Sequence, residues 1–254
     1  MLINYNQNTN KVIRLHPETK VYLLQSDEQS RAVRTTANEG EEYGNIYGRD
    51  FSRNSSGQII VEADGTPKKS EDKNILIGNY QPKYTMGISN TLSFKGFSFS
   101  FLIDIRSGGQ FYSQTQAYTH ANGNSAGTLP FREGGLIVDG VLADGSKNGK
   151  AINAQQYWAK VAGAEPVASL FIYDASSTRL REVTLGYSIP NKLLGKLPIH
   201  NVTMSLVARN LWLIKSYIPG IDPESSFSTT NSQGIENGAY PSTRTIGFNL
   251  KLEF

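Results

Sequence analysis

The residues best suited to chemistry in this chain are carboxylates, histidines and aromatic rings, and their spacing is poor for catalysis. Asp222 and Glu224 straddle Pro223. Two carboxyls on one turn are the raw material of glycoside hydrolysis, but around a proline they read more simply as turn acids. His16, His120 and His200 are too far apart in sequence to suggest a ligand cluster and read as loop or surface histidines. Cysteine is absent, which removes disulfides, thiolate metal sites and thiol nucleophiles. Asp139-Gly140 and Asp144-Gly145 are turn dipeptides, with too few ordered acids for a calcium loop. No nucleotide-binding glycine pattern follows a strand. Asn54-Ser-Ser and Asn201-Val-Thr match a glycosylation acceptor, which carries weight only in a eukaryotic secretory setting. The expectation is no enzyme, no cofactor and no metal.

What does recur is charge set against oil on alternate residues. The last ten residues, Thr245 to Phe254, place Ile246, Phe248, Leu250, Leu252 and Phe254 between Thr245, Gly247, Asn249, Lys251 and Glu253. A strand alternates faces with period two, so one face is apolar and the other wet. Chain ends usually fray; a strand amphipathic to its last residue must be paired and must bury one face.

Two hairpins repeat the pattern. In residues 84–106, Met86, Ile88, Leu92 and Phe94 alternate with small polar residues. Lys95-Gly96 turns, and Phe97, Phe99, Phe101, Ile103 and Ile105 return. In residues 178–211, Val183, Leu185, Tyr187 and Ile189 oppose Val202, Met204, Leu206 and Ala208, joined by the proline-bracketed stretch Pro190 to Pro198. The connections between hairpins are much longer, roughly seventy residues from 107 to 177 and about thirty from 212 to 242. Strands that run alternately up and down put every short turn at one end and every long loop at the other. Strands of about ten residues tilted ~45° span about 24 Å, near the apolar band of a transmembrane barrel. Within the loops, Asn153–Val161 reads as a short helix and Gln58–Glu62 as a strand. Residues 2–14 read as part of a further strand.

Bulk properties fit. Gly numbers 24 and Tyr plus Phe 24 in 254 residues, a composition for strands and turns. No stretch approaches 18 consecutive apolar residues, so no transmembrane helix is expected. A net charge of +3 is too small to indicate nucleic acid; Lys68, Lys69 and Lys73 lie among Glu71 and Asp72 as a solvated loop. Met1-Leu-Ile-Asn-Tyr-Asn lacks the features of a signal peptide.

Several stretches resemble the SusC/RagA-type TonB-linked outer-membrane transporters. They are Tyr43-Gly-Asn-Ile-Tyr-Gly48, Gly78-Asn-Tyr-Gln-Pro-Lys-Tyr84, Lys95 to Arg106, Tyr173 to Pro190, Ala208-Arg-Asn-Leu-Trp212, Gly220-Ile-Asp-Pro-Glu224 and Tyr240 to Phe248. They keep the family's order and spacing from about residue 40 onward. The resemblance implies a 22-stranded barrel with an internal plug and drive through TonB. It also implies a SusD-like surface lipoprotein as lid and import of oligosaccharides or peptides. Residues 1–254 then read as the carboxy-terminal portion of such a barrel, without plug domain or signal peptide, in a Gram-negative outer membrane.

On that reading the lipid-facing row is Phe97, Phe99, Phe101, Ile103, Val183, Leu185, Val202, Met204, Leu206, Ile246, Phe248, Leu250 and Leu252. The lumen row is Asp104, Arg106, Glu182, Arg209, Lys251 and Glu253. Phe254 is implied as the barrel-assembly signal. Tyr187, Trp212, Tyr217 and Tyr240 suit a membrane–water interface. Tyr112, Tyr118, Tyr157 and Trp158 are rings for sugars or for the lid. The alternatives are a secreted β-sandwich carbohydrate-binding module, with the apolar row against a second sheet, and an exported hydrolase.

Overall fold

The computed structural model describes residues 1–26, 32–195, 198–228 and 230–254. The chain runs β1 (Leu2–Asn6), β2 (Val21–Ser26), β3 (Val33–Asn38), β4 (Asn45–Gly48), β5 (Ile75–Asn79), β6 (Tyr84–Phe94) and β7 (Phe97–Ser107). Then come β8 (Gln110–Ser113), α1 (Gln114–Ala121), β9 (Leu136–Ile137), β10 (Ala151–Ile152), α2 (Ala154–Ala162) and β11 (Ile172–Asp174). It ends with β12 (Ser177–Ile189), α3 (Asn191–Leu194), β13 (Asn201–Ser216), β14 (Ile235–Glu236) and β15 (Thr245–Glu253).

Six strands form one antiparallel sheet in the order β1-β6-β7-β12-β13-β15, with β1 and β15 as edges. These are the strands the alternation marks, including the partial one at the start. Phe94 pairs with Phe97 across Lys95-Gly96, whose φ values of 47° and 87° both lie in the left-handed region. That is the geometry of a two-residue turn whose twist matches its strands. Lys196 and Leu197 of the other short connection lie outside the described residues.

The register assigns every side chain to a face. Phe99 opposes Leu92 and Leu185, Leu206 opposes Leu185 and Phe248, and Met204 opposes Tyr187 and Leu250. The whole expected apolar row therefore shares one face. It has no protein cover over much of its area: Leu206 is 52% exposed and Phe248 67%. Val202 is the buried exception. A sandwich would lay a second sheet here; the described residues leave the face open.

The ordinary core lies elsewhere. Residues between the strands build a cap at one end of the sheet, where β2-β3-β4-β5 and β11-β8-β14 form smaller sheets. Val33, Ile46, Tyr80, Tyr112, Val161, Val167 and Phe171 pack there. Each such burial stabilises by about 1.5–3 kcal/mol. The β7–β12 ladder resumes as β8–β11 beyond Gly108 and Gly109. Both glycines have positive φ, and a methyl on Gly109 would meet the Tyr80 carbonyl oxygen at 2.8 Å. The expected helix at 153–161 is α2, begun by a capping box between Asn153 and Gln156. The expected strand at Gln58–Glu62 is not one: Ile59, Ile60 and Val61 make only isolated bridges, to Arg53, Val141 and Pro67. No helix of the described residues is long and apolar enough to cross a membrane, which says nothing of strands.

Candidate functional site

All six residues expected on the wet row lie on the face opposite the apolar row. Glu182 pairs with Arg209 in register, and the two form a salt bridge at 2.8 Å. Lys251 and Glu253, two apart on β15, meet at 2.5 Å. Asp104 binds Arg181 at 2.6 Å. The Arg106 guanidinium lies 3.6 Å from the Phe227 ring centre and donates to the Tyr80 carbonyl at 3.1 Å. Phe254 lies beyond β15 and is exposed.

The strongest cluster on this face was only half visible in the sequence. An irregularity between Leu180 and Glu182 inserts Arg181 into β12 as an extra residue. A bulge of this kind re-aims side chains. Arg179, Arg181 and Glu182 thereby all serve the polar side. Asp222 and Glu224, expected as turn acids, come down on it from the loop after β13. Arg179, almost wholly buried, binds Asp222 at 2.6 Å, and Arg181 binds Glu224. Ser242 donates to the other Asp222 oxygen through its hydroxyl at 2.5 Å and its backbone N–H at 3.1 Å. Burial alone would raise the Asp222 carboxyl. The hydrogen bonds from Ser242, from the Glu224 N–H and from Arg179 outweigh it and hold the group below the usual carboxylate range. The carboxylates are consumed in ion pairs and caps, so the hydrolase reading has no poised acid and base here. The missed signal was the Arg179-Leu-Arg181-Glu182 break in alternation.

Clefts open beside this machinery and in the cap. One of about 340 Å³ is lined by Thr85, Asp104, Arg106, Arg181, Glu224 and Phe227. One of about 650 Å³ presents Asn8, Asn10, Asn79, Gln81 and Gln110, with Glu42 and Asp174. A third, of about 620 Å³, lies in the cap between α1 and α2. In the loop after α2, Glu165 rivets the cap to Arg49 at 3.1 Å and Lys73 at 2.9 Å. The hydrogen bond from Lys73 and the charge of Arg49 hold its carboxyl below the ordinary range. Of the rings expected to meet ligand, Tyr112 is a correction: it is wholly buried in the cap core. Tyr118 is exposed, whereas Tyr157 and Trp158 are half-buried against each other, 5.0 Å apart. Tyr187 and Trp212 project on the apolar face near its opposite ends, and Tyr217 and Tyr240 are exposed at the loop end. Among the described residues no group of three or more His, Cys, Asp or Glu is placed to hold a metal.

A face of uncovered oil, a face of paired charge and a cap at one end describe a length of barrel wall. Known proteins agree. Over 99% of this chain, RagAB peptide importer in its closed-closed state superposes with a TM-score of 0.63 at 20% identity. Structure of the RagAB peptide transporter gives 0.60 over the same share at 20% identity. TonB-dependent receptor P3 of Formosa agariphila is 25% identical over 99% of this chain. The resemblance to SusC/RagA-type TonB-linked transporters is borne out. TonB-dependent receptor P26 of the same organism is 29% identical over 73% of this chain. This SusC/RagA-like chain covers 26% of P3, 18% of P26 and 27% of the RagAB chain in the closed-closed state. No family model matches it. The six strands are thus an arc of antiparallel barrel wall, with no closed barrel among the described residues.

Proposed function

We propose that this chain forms wall and outer loops, the carboxy-terminal portion, of an outer-membrane TonB-dependent importer of oligosaccharides or peptides. The uncovered apolar face carries the reading. Contiguous apolar patches beyond a few hundred Å² mark membrane or partner contacts, and eleven-residue strands such as β6 and β7 suit a bilayer. Phe97, Phe99, Leu206, Phe248 and Leu250 then meet lipid. Asp104, Arg106, Glu182, Arg209, Lys251 and Glu253 line the lumen, and Phe254 serves barrel assembly. The cap faces outward, where a SusD-like lipoprotein would sit as lid. TonB would act through a part of the receptor outside these residues. The work is binding and conformational change, with no covalent step.

The test uses the absence of native cysteine. Single cysteines at Phe248 and Leu206 on one face, and at Arg209 and Asn249 on the other, are treated in the cell envelope with a water-soluble maleimide. The expected result is labelling of the polar row and protection of the apolar row. Equal labelling, or recovery of the chain in the soluble fraction, overturns the proposal and restores a secreted module.

A further inference from the structure

The buried carboxylate of Glu236 belongs neither to the wall nor to the ion pairs of its polar face. It ends β14 and is 1% exposed. Ser113 and Thr115, at the start of α1, each donate a hydroxyl to it at 2.6 Å, and the Ala239 N–H donates at 3.3 Å. Among the described residues no Lys, Arg or His lies within 4.0 Å of it. A buried carboxylate without a cation is costly unless its hydrogen bonds are made. Glu236 makes them chiefly with hydroxyls, which both donate and accept.

One of those hydroxyls is wired to a backbone nitrogen. The Gly238 N–H donates to Thr115 Oγ1 at 2.7 Å, and Thr115 Oγ1 donates to Glu236 at 2.6 Å. Two hydrogen bonds in line thus join the Gly238 nitrogen to a carboxylate. The residue before Gly238 is Asn237, which is exposed. In an Asn-Gly pair the glycine nitrogen can attack the side-chain carbonyl carbon of the asparagine, because glycine has no Cβ to crowd the approach. The chain has two other such pairs, Asn122-Gly123 and Asn148-Gly149, and neither shows this wiring. The Gly123 N–H donates to the His120 carbonyl at 3.1 Å, an acceptor that takes no proton away. Asn148 is 3% exposed, its amide donating to the Val138 carbonyl at 2.9 Å and its side-chain oxygen accepting the Lys150 N–H at 3.0 Å.

We infer that Asn237-Gly238 is a self-modifying site, at which the Gly238 nitrogen closes on the Asn237 amide with Thr115 and Glu236 as its proton relay. As the bond from the Gly238 nitrogen to Asn237 Cγ forms, the Gly238 proton moves to Thr115 and the Thr115 proton to Glu236. The Cγ–Nδ2 bond then breaks, and Nδ2 leaves as ammonia with the proton that Glu236 returns by way of Thr115. Glu236 ends as it began. Solvent water opens the succinimide so formed, at one carbonyl to aspartate and at the other to isoaspartate. Either product sets a new carboxylate next to Glu236, and like charges disfavour each other. Isoaspartate also adds a methylene to the backbone just after β14. The hold of β14 on β8, which fastens the loop between β13 and β15 to the cap, is thereby loosened. The inference goes beyond the importer reading and does not depend on it.

The whole chain, folded in detergent micelles at neutral pH, is sampled over time, digested and mapped by mass spectrometry, with aspartate and isoaspartate separated by chromatography. The same chain in urea gives the unfolded rate at each Asn-Gly pair. Conversion at Asn237 is expected to be faster in the folded chain than in urea, by about tenfold or more, and conversion at Asn122 and Asn148 slower. Thr115→Val and Glu236→Gln should each bring the folded Asn237 rate down to the urea rate or below it, and Thr115→Ser should keep it high. A merely structural clasp predicts the opposite sign, because loosening the turn would speed conversion. Asn148 reports on the folding of each variant, since its protection is lost on unfolding. A folded parent chain no faster at Asn237 than the chain in urea overturns the inference by itself. So does a Thr115→Val variant that converts as fast as the parent, or faster, while Asn148 stays protected. The cysteine labelling in the envelope is a separate readout, so failure here would leave the importer standing.

Discussion

Arg181 meets Asn210 where the ladder between β12 and β13 loses its register. Its Nη1 donates to the Asn210 side-chain oxygen at 3.0 Å, and neither residue has an opposite partner in the ladder. Asn210 is in the left-handed region, φ 51°, a conformation that asparagine tolerates better than most residues. The same guanidinium reaches Asp104 on the neighbouring strand and Glu224 in the loop, so one extra residue ties β7, β12, β13 and the loop together.

Removing that tie should free the loop before it unfolds the sheet. Arg181→Ala leaves Asp104, Glu224 and Asn210 short of a donor, a loss of about 1–3 kcal/mol for a part-buried charged network. Hydrogen exchange across 221–227 should accelerate roughly tenfold or more while β13 and β15 keep their protection. Asn210→Gly should retain the backbone and lose only the side-chain bonds; Asn210→Ala should cost more, because it adds positive-φ strain. Equal exchange in Arg181→Ala and the parent would remove the network from any role in holding the loop.

The Asp222 end of the tie responds to acid. Its folded carboxyl titrates below the unfolded value, so the folded state binds fewer protons than the unfolded state. Its contribution is fully present above the unfolded value of about 3.9 and is lost as pH falls through the lower folded value. Loop exchange should therefore be flat, apart from intrinsic chemistry, from neutral pH to about pH 5 and rise only in stronger acid. Asp222→Asn should abolish that acid step, and should loosen the loop at neutral pH because buried Arg179 loses its shorter ion pair and keeps only Glu224, 3.5 Å from its Nε.

These features differ in how far the sequence reveals them. The two rows were legible because alternation with period two survives along β6, β7, β13 and β15, and the register places the two rows on opposite faces of the sheet. The loop asymmetry followed from segment lengths. The bulge at Arg181 breaks the period within one residue, and alternation cannot say which side an unpaired residue takes. The cap was the least legible. β3 is buried on both faces, with Thr35 and Thr36 inside it, so no period marks it. Its core joins Val33, Ile46, Tyr112 and Phe171, which are far apart in sequence. The cleft between α1 and α2 depends on that packing, and the sequence alone marked only Trp158 and His120, one as a ring and the other as a loop histidine.

The Lys95-Gly96 turn is improvable. Lysine at φ 47° is strained relative to asparagine, whose short side chain suits the first position of this turn. Lys95→Asn should stabilise by a few tenths of a kcal/mol to about 1 kcal/mol and so raise the urea midpoint. Gly96→Ala should lower it, since φ is 87° and the added methyl would lie 3.0 Å from the Ser188 carbonyl. A Gly96→Ala midpoint equal to the parent's would mean the turn does not have this geometry.

Asn249 and Leu250 are adjacent on β15 and point to opposite faces, Asn249 opposite Ser205 and Leu250 opposite Met204. An arginine at each separates lipid from water as the medium on the apolar side. With hydrocarbon there, Leu250→Arg costs about 2–4 kcal/mol near mid-bilayer and less toward the interface, while Asn249→Arg costs little. With water there, a leucine already 53% exposed accepts arginine at a cost of about 0.5 kcal/mol or less, as surface positions do. Urea unfolding of the chain folded into phospholipid vesicles should therefore show a large loss for Leu250→Arg and a small one for Asn249→Arg. Two small losses of similar size would mean that the face meets water.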